Sequence, residues 1–339
     1  MSQPIVVWGG GAIGGTLAAY WARAGIPVLL VDVVREHVEA CRTTGLRIEG
    51  PVENFAQVVP AATPNEVDGV YNSIVLAVKA QATESALDDL LPHLAPEGCI
   101  LSAQNGLNEI AIARRAREDR TVGCFVNFGA DWLGPGSILF GNRAAVVVGE
   151  IAGDVRPRTV EIHRLLRIFE PEALLTDNIW GFLWGKLGYG AMLFATALTN
   201  DSMAENFADP ARFAVFDRLG REVIAVARAR NIKPVGFNGF DPAAFMAEAP
   251  ESASRASIAA LAEFNRHSAK THSGVWRDLA VRKRRTEVDP QIGNIAKLGA
   301  QAGVDTPAIR TLVRLIHDIE EGRRPMSFAT FQVLIDVCA

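Results

Sequence analysis

Apolar residues in the first half of the chain follow two alternating patterns that predict a mixed α/β domain. Short continuous apolar runs of strand length stand at residues 5–8, 27–31, 73–78 and 99–102. Segments with helical spacing of apolar residues stand at residues 12–24, 35–44, 86–91 and 108–117. Strands that alternate with helices predict β-α-β crossovers and a mostly parallel sheet. We therefore expect an N-terminal α/β domain with a Rossmann-type, doubly wound sheet.

The middle of the chain changes character between residues 121 and 150. Short strands between glycine-rich turns are predicted at residues 122–126, 137–140 and 145–148, as an antiparallel extension of the sheet. Residues 46–49 and 55–59 alternate like half-exposed strands. A helix at 157–170 and a strand at 173–176 complete the domain.

Beyond Asp177 the spacing of apolar residues is almost purely helical. Helices are predicted at about 178–198, 203–207, 210–230, 241–248, 252–284, 290–302, 306–321 and 327–337. The sequence thus predicts a dinucleotide-binding domain over residues 1–177 and an all-α substrate and catalytic domain over residues 178–339. We expect the active cleft between these domains.

Composition narrows the classes of function. The 339 residues, 49% apolar and 21% charged, suffice for two soluble domains of ordinary size. A net charge of −4 gives no global attraction to nucleic acid or membrane, and no apolar run approaches the roughly 20 residues of a membrane span. The 4 cysteines lack C-x-x-C spacing, and no signal peptide is expected. We expect a cytoplasmic protein with reduced thiols and no metal site.

A glycine-rich turn joins the first strand to the first helix. Gly9, Gly11 and Gly14 occupy the three marked places of G-x-G-x-x-G. Gly9 permits the tight turn, Gly11 lets backbone approach a pyrophosphate, and Gly14 lets the helix pack on the strand. Ala12 and Ile13 open the helix, whose N–H groups favour a phosphate. The pattern predicts a dinucleotide site, and a purely structural turn is the alternative.

The polar ends of the next strands add to this prediction. Asp32 stands 18 residues beyond the glycine motif, which suits an acid that binds the adenosine ribose. The acid favours NAD, because it repels the 2′-phosphate of NADP, but Arg35 leaves NADP open. Lys79 and Gln104-Asn105 follow two further strands. Ligands bind at the carboxyl ends of parallel strands, so we expect Lys79 and Asn105 beside the cofactor.

Lys186 is a candidate acid–base group in the helical domain. It is the only charged residue between Asp177 and Asp201. Burial in such an apolar helix is expected to lower its pKa toward the range useful to a general acid. The alternative is a lysine that extends its amine to solvent.

A second candidate, Glu287, follows the basic run at residues 282–285. The structural alternative is a solvated Glu287 in a turn, with Thr286 or Asp289 capping the next helix. The basic run itself is typical of a solvated helix end. Capture of an acidic substrate or a cofactor phosphate is the alternative for that run.

Nearly the whole chain resembles the ketopantoate reductase (2-dehydropantoate 2-reductase) family. The segments that carry the resemblance are residues 9–14, 76–80, 104–106, 184–187, 277–279, 285–289 and 303–307. The resemblance implies that Lys186 protonates the alkoxide and that Glu287 helps to hold the substrate hydroxyl. It also implies that Lys79 and Asn105 lie along the cofactor and the reacting centre. A helical second domain of this kind predicts a homodimer.

The chain departs from the family's pattern around the substrate. The family's asparagines four and eight residues after the lysine are here Gly190 and Phe194, on the helix face of Lys186. A substrate-binding serine is shifted or lost, which makes His272 and Trp276 candidates to line the pocket. For His272, the role of a cap or surface residue is the alternative.

These departures predict the class of substrate. A site built on hydrogen bonds rejects ligands that leave its polar groups unpaired, and three such groups are replaced here. We therefore predict an NAD(P)-dependent oxidoreductase that interconverts a hydroxy acid and an oxo acid larger or more apolar than ketopantoate. The alternatives are 2-dehydropantoate 2-reductase itself, an imine- or opine-type reductase, and a non-catalytic NAD-sensing protein. Neither nucleic acid nor membrane is an expected partner.

Overall fold

Twelve strands and five helices form the first half of the chain in a computed structural model that describes residues 3–267 and 270–338. The strands are β1 (Ile5–Trp8), β2 (Val28–Val31), β3 (Leu46–Glu49), β4 (Phe55–Gln57), β5 (Ala61–Ala62), β6 (Tyr71–Leu76), β7 (Leu94–Ser102), β8 (Thr121–Val126), β9 (Gly129–Gly134), β10 (Ser137–Asn142), β11 (Val146–Glu150) and β12 (Leu174–Leu175). The helices are α1 (Ala12–Arg23), α2 (Arg35–Thr43), α3 (Thr83–Leu90), α4 (Asn108–Ala116) and α5 (Pro157–Phe169). The chain divides into two units, Met1–Ile179 and Trp180–Ala339.

Eight strands of the first unit form its main sheet, in the order β12-β11-β8-β7-β6-β1-β2-β5. Every neighbouring pair is parallel except β11 with β8. Side chains of β1 alternate between two cores, with Val7 on one face and Val6 on the other, both fully buried. Burial on both faces explains the continuous apolar runs. The prediction of a doubly wound Rossmann-type sheet is confirmed.

A second sheet of four strands, in the order β4-β3-β10-β9, corrects the prediction for residues 137–140. Strand β10 pairs with β3 and β9 and not with the main sheet, so only β11 forms an antiparallel extension. Ile138 of β10 is fully buried beside α1, and a Cβ built on Gly15 would lie 2.5 Å from it. The small sheet therefore covers a face of α1, which the local strand pattern does not specify.

The second unit is helical, as the sequence predicts. Its helices are α6 (Ile179–Thr196), α7 (Met203–Ala208), α8 (Phe213–Ala229), α9 (Glu251–Arg266), α10 (Gly274–Trp276), α11 (Asn294–Gln301), α12 (Pro307–Glu320) and α13 (Phe328–Cys338), with π-helical turns at Arg277–Val281 and Asp289–Gly293. Within the described ranges, no helix combines the length and apolar character needed to cross a membrane.

Two predicted helices of the second unit are wrong in extent. The predicted helix 252–284 ends at Arg266 in α9 and resumes at Gly274, while residues 268 and 269 lie outside the described residues. The carbonyl of Thr271 accepts a hydrogen bond from the amide of Met203, so backbone bonding to another segment replaces the helix here. The predicted helix 241–248 is only a 3₁₀ turn at Pro242–Phe245.

Candidate active site

The glycine-rich turn places an open cradle at the start of α1. Gly9 has a φ of 107°, and a Cβ there would lie 2.7 Å from the amide nitrogen of Val78. A Cβ on Gly14 would overlap the carbonyl oxygen of Gly9. Among the described residues, by contrast, no atom beyond its chain neighbours lies within 4 Å of a Cβ built on Gly11. Gly9 and Gly14 thus serve packing, whereas Gly11 borders free space.

The cradle fits the pyrophosphate of a dinucleotide. Gly11 is the N-cap of α1 and has no side chain with which to cap the helix. Ala12 and Ile13 of the first turn are partly exposed. The first N–H groups of a helix lack partners within the helix and carry the positive end of its dipole. An anion beside Gly11 would therefore meet backbone donors and positive potential.

Asp32 follows β2 and binds the glycine-rich turn directly. Its Oδ2 accepts a hydrogen bond of 2.7 Å from the amide of Gly10, and its Oδ1 accepts one of 2.9 Å from Val34. The carboxylate is partly exposed. Arg35 points largely into solvent, with 77% of its side chain exposed, and lies 3.8 Å from Glu66. A fixed negative charge thus stands beside the turn.

His37 lies beneath the turn and was not among the residues predicted for the site. It is 1% exposed, and its Nδ1 accepts a hydrogen bond of 2.9 Å from the amide of Gly136. A Cβ built on Gly10 would lie 2.9 Å from its Nε2. Burial lowers the pKa of His37, although the charge of Asp32 and a backbone hydrogen bond with Gly10 oppose the shift. The sequence could have indicated His37 only through its position on the apolar face of α2.

A polar network fixes the loops that follow β6 and β7, where Lys79 is exposed and Asn105 partly buried. Gln104 Nε2 donates a hydrogen bond of 2.8 Å to the carbonyl oxygen of the residue that precedes Lys79. It donates a second one, of 2.9 Å, to Thr83 Oγ1. Thr83 Oγ1 donates to Asn108 Oδ1, and Asn108 Nδ2 donates to the carbonyl of Asn105. Both predicted residues therefore stand on braced backbone, at the carboxyl edge of the sheet. The roles of Thr83 and Asn108 were missed, because their pairing depends on the fold.

Lys186 stands on α6 in the second unit, where it is partly buried. Neighbouring glycines let another segment pack closely on this helix. A Cβ on Gly185 would overlap the carbonyl oxygen of Val235, and one on Gly188 would lie 2.5 Å from the ring of Phe240. Glycine is therefore required on these faces, which fixes α6 and the position of Lys186 along it.

Gly190 leaves free space one helical turn after Lys186. Within the described part of the chain, no atom outside the helix's own neighbouring backbone comes within 4 Å of a Cβ built there. Phe194, one turn further, is 2% exposed and belongs to the interior. The side of α6 that carries Lys186 is thus open at Gly190 and apolar beyond it.

The segment before the first π-helical turn brings His272 and Trp276 together, with 4.1 Å between ring centroids. His272 Nε2 donates to the carbonyl of Asn200 at 3.1 Å, and its Nδ1 lies 2.9 Å from Thr271 Oγ1. Trp276 Nε1 donates to Asn200 Oδ1. Ser273 is buried, and its Oγ accepts from the amide of Trp276 as a helix N-cap. Both aromatic side chains are thus anchored on Asn200.

Glu287 is partly buried in a turn that α12 holds. Glu320 Oε1 accepts hydrogen bonds of 2.7 Å from both the amide and the Oγ1 of Thr286. Thr286 Oγ1 in turn accepts 3.2 Å from the amide of Val288. The predicted capping of the next helix by Thr286 or Asp289 is wrong, because the π-helical turn at Asp289–Gly293 follows Val288 without a side-chain cap from any described residue. The hydroxyl of Thr286 instead closes the turn that holds Glu287.

The basic run that precedes this turn lies in irregular backbone rather than at the end of a long helix. Lys283 has a φ of 48°. Arg282 and Arg284 each donate to Asp278 Oδ1 at 3.0 Å, and Arg285 lies 3.7 Å from Glu321. These ion pairs, rather than the helix dipole alone, organise the arginines.

Two family models match the chain. "Ketopantoate reductase PanE/ApbA" matches residues 5–153, and "Ketopantoate reductase PanE/ApbA C terminal" matches residues 178–320. The chain is 26% identical to a 2-dehydropantoate 2-reductase of Mesorhizobium japonicum over 339 aligned positions, which cover 92% of this chain and 96% of the relative.

Solved structures share the fold over nearly the full length. A PanE/ApbA family ketopantoate reductase from Ralstonia eutropha superposes with a TM-score of 0.77 at 25% identity, covering 95% of this chain and 99% of that one. A D-mandelate dehydrogenase with NADH and anilino(oxo)acetate superposes with a TM-score of 0.80 at 20% identity, covering 94% and 99%.

Proposed function

Because the chain belongs to the ketopantoate reductase family, we propose that it interconverts a hydroxy acid and a 2-oxo acid that is bulkier or more apolar than ketopantoate. It is an NAD(P)-dependent oxidoreductase that acts on CH–OH groups. In the reducing direction, the oxo acid gains a hydride at carbon and a proton at oxygen. The nicotinamide supplies the hydride when it is bound.

Two side chains of the second unit would serve the proton and the hydroxyl. The ammonium of Lys186 donates its proton to the carbonyl oxygen as negative charge develops there, and regains one from solvent. Glu287 accepts a hydrogen bond from the hydroxyl that forms. Lys79 and Asn105 bind along the cofactor and orient the substrate toward it.

The free space at Gly190 carries the proposal of a bulkier substrate. It lies one turn from Lys186, where the family resemblance implies an asparagine. Loss of this amide removes a polar partner and adds volume beside the amine. A D-mandelate dehydrogenase shares this fold, which supports the proposal of a substrate other than ketopantoate. His272 and Trp276 would supply further apolar wall to such a substrate.

We favour NAD over NADP. The carboxylate of Asp32 is fixed beside the dinucleotide turn, where it attracts ribose hydroxyls and repels a 2′-phosphate. Arg35, which could balance such a phosphate, faces Glu66 instead.

A substrate panel with the variant Gly190→Asn tests this proposal. Oxidation of NADH is followed with ketopantoate, pyruvate and phenylglyoxylate, the oxo acid related to mandelate. We expect the wild type to prefer phenylglyoxylate in kcat/KM. Gly190→Asn should lower that value by about tenfold or more, because the side chain fills the free space, and should improve turnover of ketopantoate.

Gly141→Asn is the matched control, since this glycine lies in the small sheet of the first unit. A wild type that turns over ketopantoate best would contradict the proposal and favour 2-dehydropantoate 2-reductase. NADH oxidation that requires an added amine would favour an imine reductase. Tight NADH binding without turnover of any oxo acid or imine would favour an NAD sensor.

A further inference from the structure

A bridge of carboxylates and one imidazole holds the turn that carries Glu287. We propose that His317 and Glu320 of α12 are positioning residues, which fix Glu287 by binding Asp289 and Thr286 on either side of it. This inference rests on the proposed function, because it assigns a purpose to the placement of Glu287.

The geometry of the bridge is complete on both sides of Glu287. On one side, Glu320 Oε1 accepts hydrogen bonds of 2.7 Å from the amide and Oγ1 of Thr286. On the other, His317 Nε2 lies 3.0 Å from Asp289 Oδ1. His317 Nδ1 lies 3.0 Å from Glu320 Oε2, which joins the two sides. The residues before and after Glu287 are thus tied to one turn of α12.

Burial makes these bonds consequential. The side chain of Glu320 is 2% exposed, and that of His317 is 24% exposed. A buried carboxylate is stable only when hydrogen-bond donors surround it. Thr286 supplies two donors to Glu320 and His317 supplies another, so loss of any one weakens the hold on the turn.

The bridge requires both nitrogens of His317 to carry protons. Its partners are carboxylates, which accept hydrogen bonds when ionised, so each ring nitrogen must donate and the ring is an imidazolium. Burial by itself lowers the pKa of His317. The hydrogen bonds and charges of Asp289 and Glu320 outweigh that effect, and the pKa lies above its usual value.

Other charges surround the imidazolium in an open groove on the second unit. The charged residues that line this groove besides His317 and Asp289 are Arg285, Arg310, Arg314, Arg323 and Glu321. Each of these arginines has an acidic partner. Arg314 and Arg323 pair with Asp318, Arg310 pairs with Asp305, and Arg285 pairs with Glu321. The two carboxylates that touch His317 therefore dominate its protonation, and the groove gives solvent protons access to it.

Deprotonation of His317 breaks the bridge. As pH rises through the raised pKa, the ring loses one donor, and either Glu320 or Asp289 loses its bond. The turn at Glu287 then loosens, and a displaced catalytic group can cost about a hundredfold in rate. Activity should fall on the alkaline side for this reason, independently of Lys186.

Titration of the histidine rings by NMR tests the bridge without any substrate. The chain has 6 histidines, and His317→Gln identifies the resonance of His317. Its pKa should exceed the ordinary value of about 6.5 and should fall in Asp289→Asn. Asp289 is 65% exposed, so this variant leaves the core intact. Asp305→Asn is the matched control, because it removes an exposed charge at the start of α12 that does not bind His317.

Kinetics with NADH and phenylglyoxylate then test positioning. His317→Gln and Thr286→Val should lower kcat by about ten- to a hundredfold without changing the Kd for NADH. Thr286→Ser should restore activity, because it keeps the hydroxyl. Asp289→Asn should move the alkaline fall of kcat to lower pH.

Three results would overturn the proposal: a His317 pKa at or below its ordinary value, equal shifts in Asp289→Asn and Asp305→Asn, or an unchanged kcat in His317→Gln. Glu287→Gln separates this proposal from the function on which it rests. If Glu287→Gln loses activity and His317→Gln does not, only the positioning role fails. If Glu287→Gln keeps full activity, the catalytic role of Glu287 fails, and the positioning role that depends on it fails too.

Discussion

Asp32 combines two tasks at the scale of a single residue. Its two oxygens accept the amides of Gly10 and Val34, which fixes the glycine-rich turn. Each oxygen retains further acceptor capacity, and the group is partly exposed. One carboxylate thus shapes the turn and, in the proposed function, would also present negative charge to the nucleotide.

Asp32→Ala should weaken binding of NADH more than binding of NADPH. A hydrogen bond to a charged group contributes about 1.5–3 kcal/mol, so the Kd for NADH should rise about ten- to a hundredfold. The Kd for NADPH should rise less, because removal of the carboxylate also removes repulsion of the 2′-phosphate. Fluorescence titration with both cofactors measures the two constants. Equal weakening would mean that Asp32 acts only through the turn.

The sequence indicated which residues were candidates for the site more readily than it indicated the side chains that surround them. The glycines, Asp32, Lys79 and Asn105 could be proposed as candidates because their chemistry is tied to positions at strand ends, and their roles stay predictions. His37 and His317 could not be proposed from the sequence, because their contacts are with residues remote along the chain. His37 contacts Gly136, and His317 contacts Asp289. The catalytic assignments of Lys186 and Glu287 stay predictions.

At the scale of elements, β1, the glycine-rich turn and α1 form the segment to which the proposed function assigns cofactor binding. Gly9 must be glycine because a Cβ there would meet the backbone of Val78, and Gly14 because a Cβ there would meet the carbonyl of Gly9. Gly11, by contrast, faces free space. Packing and binding are therefore assigned to different glycines of one motif.

Gly11→Ala and Gly14→Ala should separate these two roles. Gly11 has a φ of −68° and a ψ of −161°, which alanine adopts readily. The free energy of unfolding of Gly11→Ala should therefore differ from the wild-type value by less than about 1 kcal/mol. Its affinity for NADH should nevertheless fall, because the methyl group enters the cradle. Gly14→Ala should lose about 1–3 kcal/mol of stability through overpacking. Chemical denaturation and NADH titration of both variants distinguish the roles, and indistinguishable variants would refute the assignment.

His37 should make the first unit less stable as pH falls. Its pKa in the folded protein is lowered, so the unfolded chain binds more protons below the ordinary pKa of about 6.5. Stability is therefore full above about pH 6.5 and declines as pH drops toward the folded pKa. His37→Asn keeps an acceptor for Gly136 but does not titrate, so its denaturation midpoint should depend less on pH. His267→Asn, an exposed histidine, is the control, and equal pH dependence in all three proteins would contradict this role.

Strands and helices were predictable where the apolar pattern of the segment itself determines them. The alternation of strands and helices predicted a mostly parallel main sheet, because central strands such as β1 are buried on both faces and therefore read as continuous apolar runs. The small sheet was not specified, since β10 pairs with β3, a partner about ninety residues earlier in the chain. The predicted helix 252–284 failed because bonding of Thr271 to Met203 is a tertiary contact that helical spacing does not reveal.

At the scale of the whole molecule, we propose that the first unit binds the cofactor and that the second unit supplies the proton. Net charge is −4, so an oxo acid of the proposed kind would bind through local cations rather than through overall attraction. The homodimer expected from the sequence stays a prediction, which sedimentation of the full chain tests.

The variant Lys186→Met tests whether Lys186 is the general acid. Turnover of the best 2-oxo acid is followed by NADH oxidation, with the Kd for NADH measured in parallel and Lys297→Met, an exposed lysine of α11, as the control. We expect a fall in kcat of about two to four orders of magnitude, the scale of lost general acid catalysis, with unchanged NADH affinity. Near-normal kcat in Lys186→Met would contradict the role of Lys186 as the general acid.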